Sequence, residues 1–181
     1  MAISGIESFE KAFDKRLERD FIKNLKRKVN KLSRVEFKEY IKNFLEGNCI
    51  CTLATCADNI PRATILRYRS RDLTIYFQTE GGGKMYNLKE NPQVSITVCG
   101  EYSGFTSVKG LQIWGKAEII KPTDPSYTEG LAIMNLSARQ DLKEAGLDQN
   151  VPKMFLLKID IERAKILSFP EGIINQSITL K

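Results

Sequence analysis

Glu80-Gly81-Gly82-Gly83-Lys84 sets three glycines and a lysine between the end of an apolar run and the start of a short helical one. Physically this is an anion-binding device. Glycine turns its backbone N–H groups in directions closed to other residues, and a helix N-terminus just behind adds partial positive charge. Lys84 contributes a point charge, Arg62 a guanidinium able to take a phosphate bidentately, and Thr79 a hydroxyl. The sequence is not a Walker loop, because the position of that motif's earlier glycine is Gln78 here. Taken alone, three glycines are more often a flexible turn, and Arg62, Arg67 and Arg69 more often charges that blunt a strand edge.

The flanking patterns say what must position these groups. Residues 62–69 and 73–79 are rich in Thr, Ile, Leu, Tyr and Phe around Ser70-Arg71-Asp72, so they read as a hairpin; the helix over 85–90 is stopped by Asn91-Pro92. Upstream, Ser33-Arg34-Val35-Glu36 has the capping-box pattern, with Leu32 and Phe37 at hydrophobic-staple spacing. A helix follows with Phe37, Tyr40, Ile41, Phe44 and Leu45 on one face and Gly47 as a left-handed cap. Residues 48–56 form a strand apolar on both faces, and Asp58-Asn59-Ile60-Pro61 turns it into the hairpin. Downstream come a strand over 94–99, a bent strand over 106–120 with Gly110 and Gly115 as bulge candidates, and a helix from Asp124-Pro125 to Met134. A helical turn over 141–146, two strands over 154–160 and 164–169 joined by Ile161-Glu162-Arg163, and an edge segment over 173–180 complete the pattern. Before all of these, Phe9, Phe13, Leu17, Phe21, Leu25 and Val29 recur every four residues, one drifting apolar stripe on a long amphipathic helix.

Composition narrows the function. The chain has 181 residues and a net charge of +6, with residues 1–46 holding 12 basic and 8 acidic groups, so most of the excess lies outside the glycine stretch. Acidic residues interleave with the basic ones, which favours a solvated face over a nucleic-acid contact. Cys49, Cys51, Cys56 and Cys99 lie in apolar runs without CxxC spacing, the pattern of buried reduced thiols in a cytoplasmic protein. No apolar run is long enough for a membrane span, and there is no signal-peptide core. There is no histidine, which removes imidazole-based acid–base triads, most catalytic zinc sites and histidine-ligated haem.

The order of LAT, the turn before Pro61, Thr79 spaced from Lys84, NP-x-V at Asn91 to Val94, and GKAE at Gly115 to Glu118 resembles the pyridoxamine 5'-phosphate oxidase-like FMN-binding split-barrel family. The likeness covers roughly residues 35–120 and, more loosely, 154–169. It implies a mainly β fold: a six-stranded antiparallel split β-barrel over residues 33–181, with residues 1–32 as a helical extension of the same domain. It also implies a homodimer with FMN at the subunit interface. Arg62 and Lys84 match phosphate-holding positions, and Thr79 matches a hydroxyl ligand beside them. Ala63, Thr64, Ile65, Leu66 and Arg67 match the strand against which the flavin ring lies, Arg67 standing in for a lysine. Gln78 stands where a tyrosine often precedes the threonine, and Gly83 where the oxidase has a second basic residue. Gln112 and Trp114 lie on the strand that faces the flavin. Arg62 and Arg67 are five apart, however, so a regular strand sends them to opposite faces.

The oxidase's Arg-x-His substrate motif is missing from the tail, EGIINQSITLK. The resemblance therefore implies an FMN-dependent oxidoreductase for an unidentified small substrate, not pyridoxamine phosphate oxidation itself, and it assigns no catalytic residue or metal. Two alternatives stand beside it: an F420-dependent reductase of the same fold, and a non-catalytic FMN store or sensor whose N-terminal helix contacts a partner.

Overall fold

A computed structural model describes residues 29–134 and 154–180. The long N-terminal stripe and the helical turn over 141–146 lie outside the described residues, apart from Val29. Helix α1, Arg34–Glu46, starts on a complete capping box: Ser33 N donates to Glu36 (2.8 Å) and Glu36 N to the Ser33 hydroxyl (3.4 Å). It buries Phe37, Ile41, Phe44 and Leu45, with Tyr40 half-buried. Gly47 ends it in the right-handed region (φ −75°), not as a left-handed cap.

Strands β1 (Ile50–Ala57) and β2 (Ile60–Arg67) form the first hairpin. Asp58 and Asn59 both have positive φ, the two-residue turn that matches strand twist. After β3 (Arg69–Arg71) and β4 (Thr74–Thr79) come helix α2 (Gly83–Glu90), β5 (Gln93–Cys99), a 3₁₀ turn (Phe105–Ser107) and β6 (Lys109–Ile120). Helix α3 (Tyr127–Met134), β7 (Phe155–Ser168) and β8 (Ile173–Thr179) follow. Among the described residues the eight strands form one antiparallel sheet in the order β2-β1-β5-β6-β7-β4-β3, with β8 also on β7. This is a split β-barrel with helices; the three-residue β3 and the seven-residue β8 are additions to the six strands expected. β7 pairs along its length with β6 and divides its other edge between β4 and β8.

Three elements depart from the sequence pattern. Residues 62–69 do not pair with 73–79; only Arg69–Arg71 does. The chain turns inward at Tyr68, whose ring is wholly buried while its N–H reaches Cys49 O (2.8 Å) and its hydroxyl Leu45 O (3.0 Å). That residue ends β2 and carries the chain to the other edge of the sheet. Next, Ile161-Glu162-Arg163 is no connection between strands: Trp114 pairs with Arg163 and Gly115 with Ile161, leaving Glu162 as a bulge in one continuous β7. Gly115 is required there, because a Cβ would overlap the Asp160 carbonyl oxygen, whereas Gly110 pairs regularly and marks no bulge in β6. Finally, α3 begins at Tyr127 rather than at Asp124-Pro125, since the Asp124 carboxylate accepts from Lys121 N (2.8 Å) and closes a turn before the helix.

The core fills the rolled sheet, from Phe37 and Ile41 through Leu53, Phe77, Ile96 and Ile113 to Ile159 and Ile166. Of the four free cysteines only Cys51 is buried, its thiol pushed up to about 12 by burial, while Cys49 and Cys99 are exposed. At the barrel end where β6 begins, Glu171 accepts from Lys109 (2.7 Å), Tyr40 (2.6 Å) and Ser168 (2.7 Å), tying α1 to the start of β6 and the end of β7.

Candidate functional site

Beyond Thr79 the chain leaves the sheet, and the three glycines serve two different needs. Gly81 (φ +133°) and Gly82 (φ +83°) hold conformations that an L side chain rarely adopts. Gly83 opens α2, and its missing side chain makes room for Arg62: a Cβ there would lie 2.6–2.9 Å from the guanidinium atoms. No side chain caps α2. Its first N–H groups, the unsatisfied donors of any helix start, therefore lie beside an arginine.

The register explains how Arg62 gets there. β1–β2 pairing sets Arg62 opposite Thr55. Thr55 in turn accepts a buried hydrogen bond from Asn87 Nδ2 (3.1 Å), and Met85 and Leu88 anchor α2 in the core. Asn87 follows Gly83 by four residues, so the two share a helix face, and the Thr55–Asn87 bond fixes that face over β2. Tyr86 adds a bond to Asp58 at the β1–β2 turn (3.0 Å).

Thr79 and Lys84 brace the loop from within. Gly81 N donates to Thr79 Oγ1 (3.3 Å), and Lys84 Nζ donates to Gly81 O (2.8 Å). Burial holds the Lys84 ammonium below the ordinary lysine range, against the pull of Glu80 and with the Arg62 charge adding to the depression. A guanidinium beside the uncapped start of α2, with the Lys84 ammonium near enough to feel its charge, is an arrangement that a phosphate dianion would relieve. Beside them lies a hollow of about 410 Å³ lined by Leu66, Gln78, Thr79, Glu80, Gly81, Gly82, Lys84 and Met154.

The sequence-derived candidates thus fall into two groups. Arg62, Thr64 and Leu66 alternate on the barrel side of β2, where Leu66 joins Gln78, Thr79 and Lys84 at the hollow and Arg62 lies against Gly83. Ala63, Ile65 and Arg67 point the other way, as a five-residue separation of the two arginines requires. Gln112 and Trp114 are on that outer face too: Ala63, Ala54, Ser95 and Trp114 form one cross-strand row, and Ile65, Thr52, Thr97 and Gln112 the next. The Arg163 guanidinium stacks 3.7 Å from the Trp114 ring centroid. Met154 and the Thr55–Asn87 pair were not legible as site elements, since only strand register and helix docking bring them there.

Comparison with known proteins agrees with this architecture. The model of the pyridoxamine 5'-phosphate oxidase family matches residues 37–168. An FAD-binding protein from Mesorhizobium loti is similar at 22% identity over 74% of this chain and 90% of its own, with a TM-score of 0.56. General Stress Protein 26 from Bacillus anthracis strain Sterne is similar at 19% identity over 80% and 98%, TM-score 0.58. A haem storage protein from Vibrio cholerae is similar at 20% identity over 69% and 89%, TM-score 0.55. At these identities the likeness is one of fold. No curated protein matches the sequence.

Proposed function

The chain belongs to the pyridoxamine 5'-phosphate oxidase family, and on that premise we propose that it is a flavoprotein holding FMN by its phosphate between Arg62, Thr79, Lys84 and the start of α2. The observation that carries this reading is the seating of the Arg62 guanidinium against Gly83, where a side chain would displace it. A guanidinium, an ammonium and backbone N–H groups are the donor set a phosphate dianion takes. Once bound, a flavin supplies hydride or single-electron transfer itself, and the residues of this chain would bind and orient it. Leu66 and Gln78 line the hollow next to the cations, and Thr79 and Lys84 keep the glycine loop folded.

We assign the outer face to a second copy of the chain. Ile65 of β2 is 75% exposed, and Ala54, Ala63, Ser95 and Thr97 are small enough to let another sheet approach closely. This dimer would bring Ala63, Ile65, Gln112 and Trp114 to the interface, uniting the two groups of candidate residues around a shared flavin. The haem reading raised by the Vibrio neighbour has no histidine to use as a ligand. Oxidoreduction of a small substrate follows from the cofactor's chemistry, with the substrate left open.

The test is direct. Purified protein should show flavin absorption or acquire it on incubation with FMN, and should sediment as a dimer that Ile65→Asp dissociates. Protein that stays colourless in excess FMN would defeat the cofactor assignment; a monomer that still binds FMN would defeat the dimer alone.

A further inference from the structure

The glycine loop borders a second hollow of about 400 Å³, lined by Gly81, Met85, Lys89, Ile119, Lys121 and Phe155. Its floor is apolar: Met85 belongs to the core, and Ile119 and Phe155 are half-buried against it. Its rim carries two exposed lysines, Lys89 on α2 and Lys121 just past β6. Met85 and Lys89 are four residues apart and share the helix face turned to this hollow. The two hollows meet at Gly81, which lines both. The crossing is open, because no heavy atom lies within 4 Å of where a Cβ would stand on Gly81 or Gly82. The strand ends also join them: Thr79 of the first hollow pairs with Phe155 of the second.

Resting on the flavin-phosphate reading above, we propose that this second hollow receives the extension of a cofactor longer than FMN, namely the adenylate half of FAD. The first phosphate would remain at Arg62 and Lys84. The chain of the pyrophosphate passes over Gly81, where a side chain would stand in the way. Lys89 and Lys121 face the second negative charge, while Met85, Ile119 and Phe155 offer the apolar surface that a purine covers. A carboxylate-rich tail, such as the oligoglutamate of F420, matches the lysines but leaves that apolar floor unused.

Equilibrium titration by flavin fluorescence tests this with riboflavin, FMN, FAD and F420 on the full chain, as wild type and as Lys89→Ala/Lys121→Ala. Wild type should bind FAD about tenfold more tightly than FMN, the size of one added charge-assisted contact. The double variant should lose that margin while FMN affinity holds, and Lys89→Arg/Lys121→Arg should restore it. FAD binding no tighter than FMN would overturn the proposal, as would an equal loss for both ligands in the double variant. A lysine-dependent preference for F420 over FAD would assign the hollow to carboxylates instead. FMN binding without an FAD margin removes the extension only; binding of neither flavin removes the phosphate site on which it rests as well.

Discussion

Replacing Gly83 by alanine separates the proposed phosphate site from the fold. The new methyl would lie 2.6 Å from one Arg62 nitrogen and 2.8 Å from the guanidinium carbon, closer than such contacts allow. The helix backbone cannot yield, because α2 is held through Met85, Leu88 and the buried Asn87–Thr55 bond. The flexible arginine can, so Arg62 moves away from the helix start. Gly83 does not have the positive φ of Gly81 and Gly82, so alanine is tolerated by the backbone there and should raise stability by up to about 1 kcal/mol through the entropy of the unfolded chain. Losing a charge-assisted arginine–phosphate contact costs about 1.5–3 kcal/mol, or roughly 10- to 150-fold in affinity. Gly83→Ala should therefore weaken FMN by at least about tenfold while the thermal midpoint stays level or rises. The decisive arm is the double variant with Arg62→Ala. If glycine acts by seating Arg62, the double variant binds no worse than Arg62→Ala alone. Strictly additive losses, or unchanged FMN affinity in Gly83→Ala, would refute the reasoning.

Further outcomes are expected at three residues. Lys84→Ala should lower FMN affinity by about tenfold or more; because the Lys84 pKa is depressed, wild-type affinity should fall with rising pH earlier than an ordinary lysine would dictate, and Lys84→Arg should abolish that fall. Stability moves the other way: a lysine whose folded pKa is depressed makes the unliganded fold gain stability as pH rises from that value to the unfolded one, which pH-dependent unfolding of Lys84→Met against wild type would detect. Gly115→Ala should cost about 1–3 kcal/mol or more in denaturant unfolding, since the methyl meets the Asp160 carbonyl of the paired strand rather than a movable side chain. Glu171→Gln should cost about 1–2 kcal/mol at neutral pH by weakening three hydrogen bonds. Burial pushes the Glu171 carboxyl up, but Lys109, Tyr40 and Ser168 together outweigh it and hold it low. Its contribution is present above the unfolded pKa and lost as pH falls through the folded one, so the acid limb of the wild-type stability curve should be steeper than that of the variant.

Local signals were legible wherever one residue type dictates one geometry. The capping box at Ser33 and Glu36, the break at Asn91-Pro92 and the glycine loop opening a helix were all readable, because caps and turns act within a few residues; Gly115 was readable as an irregular position, but the bulged residue, Glu162, lies on the paired strand. The order of motifs was specific enough to indicate the split barrel. Long-range pairing was not readable. Residues 62–69 and 73–79 have the composition of a hairpin, yet Tyr68 is drawn into the core and the two runs end on opposite edges of the sheet. Glu162 looked like a turn because one bulged residue and a short connection have the same local signature.

For the site, the sequence by itself supplied the donor types: an arginine, a lysine, a hydroxyl and a helix start behind three glycines suit an anion, and the lack of histidine removes imidazole chemistry. Only the tertiary structure decided the geometry. β1–β2 register puts Arg62 opposite Thr55, Thr55 holds Asn87, and Asn87 turns Gly83 to meet Arg62. Gly83 is thus the space the guanidinium occupies, a relation between residues 21 positions apart that no local pattern encodes.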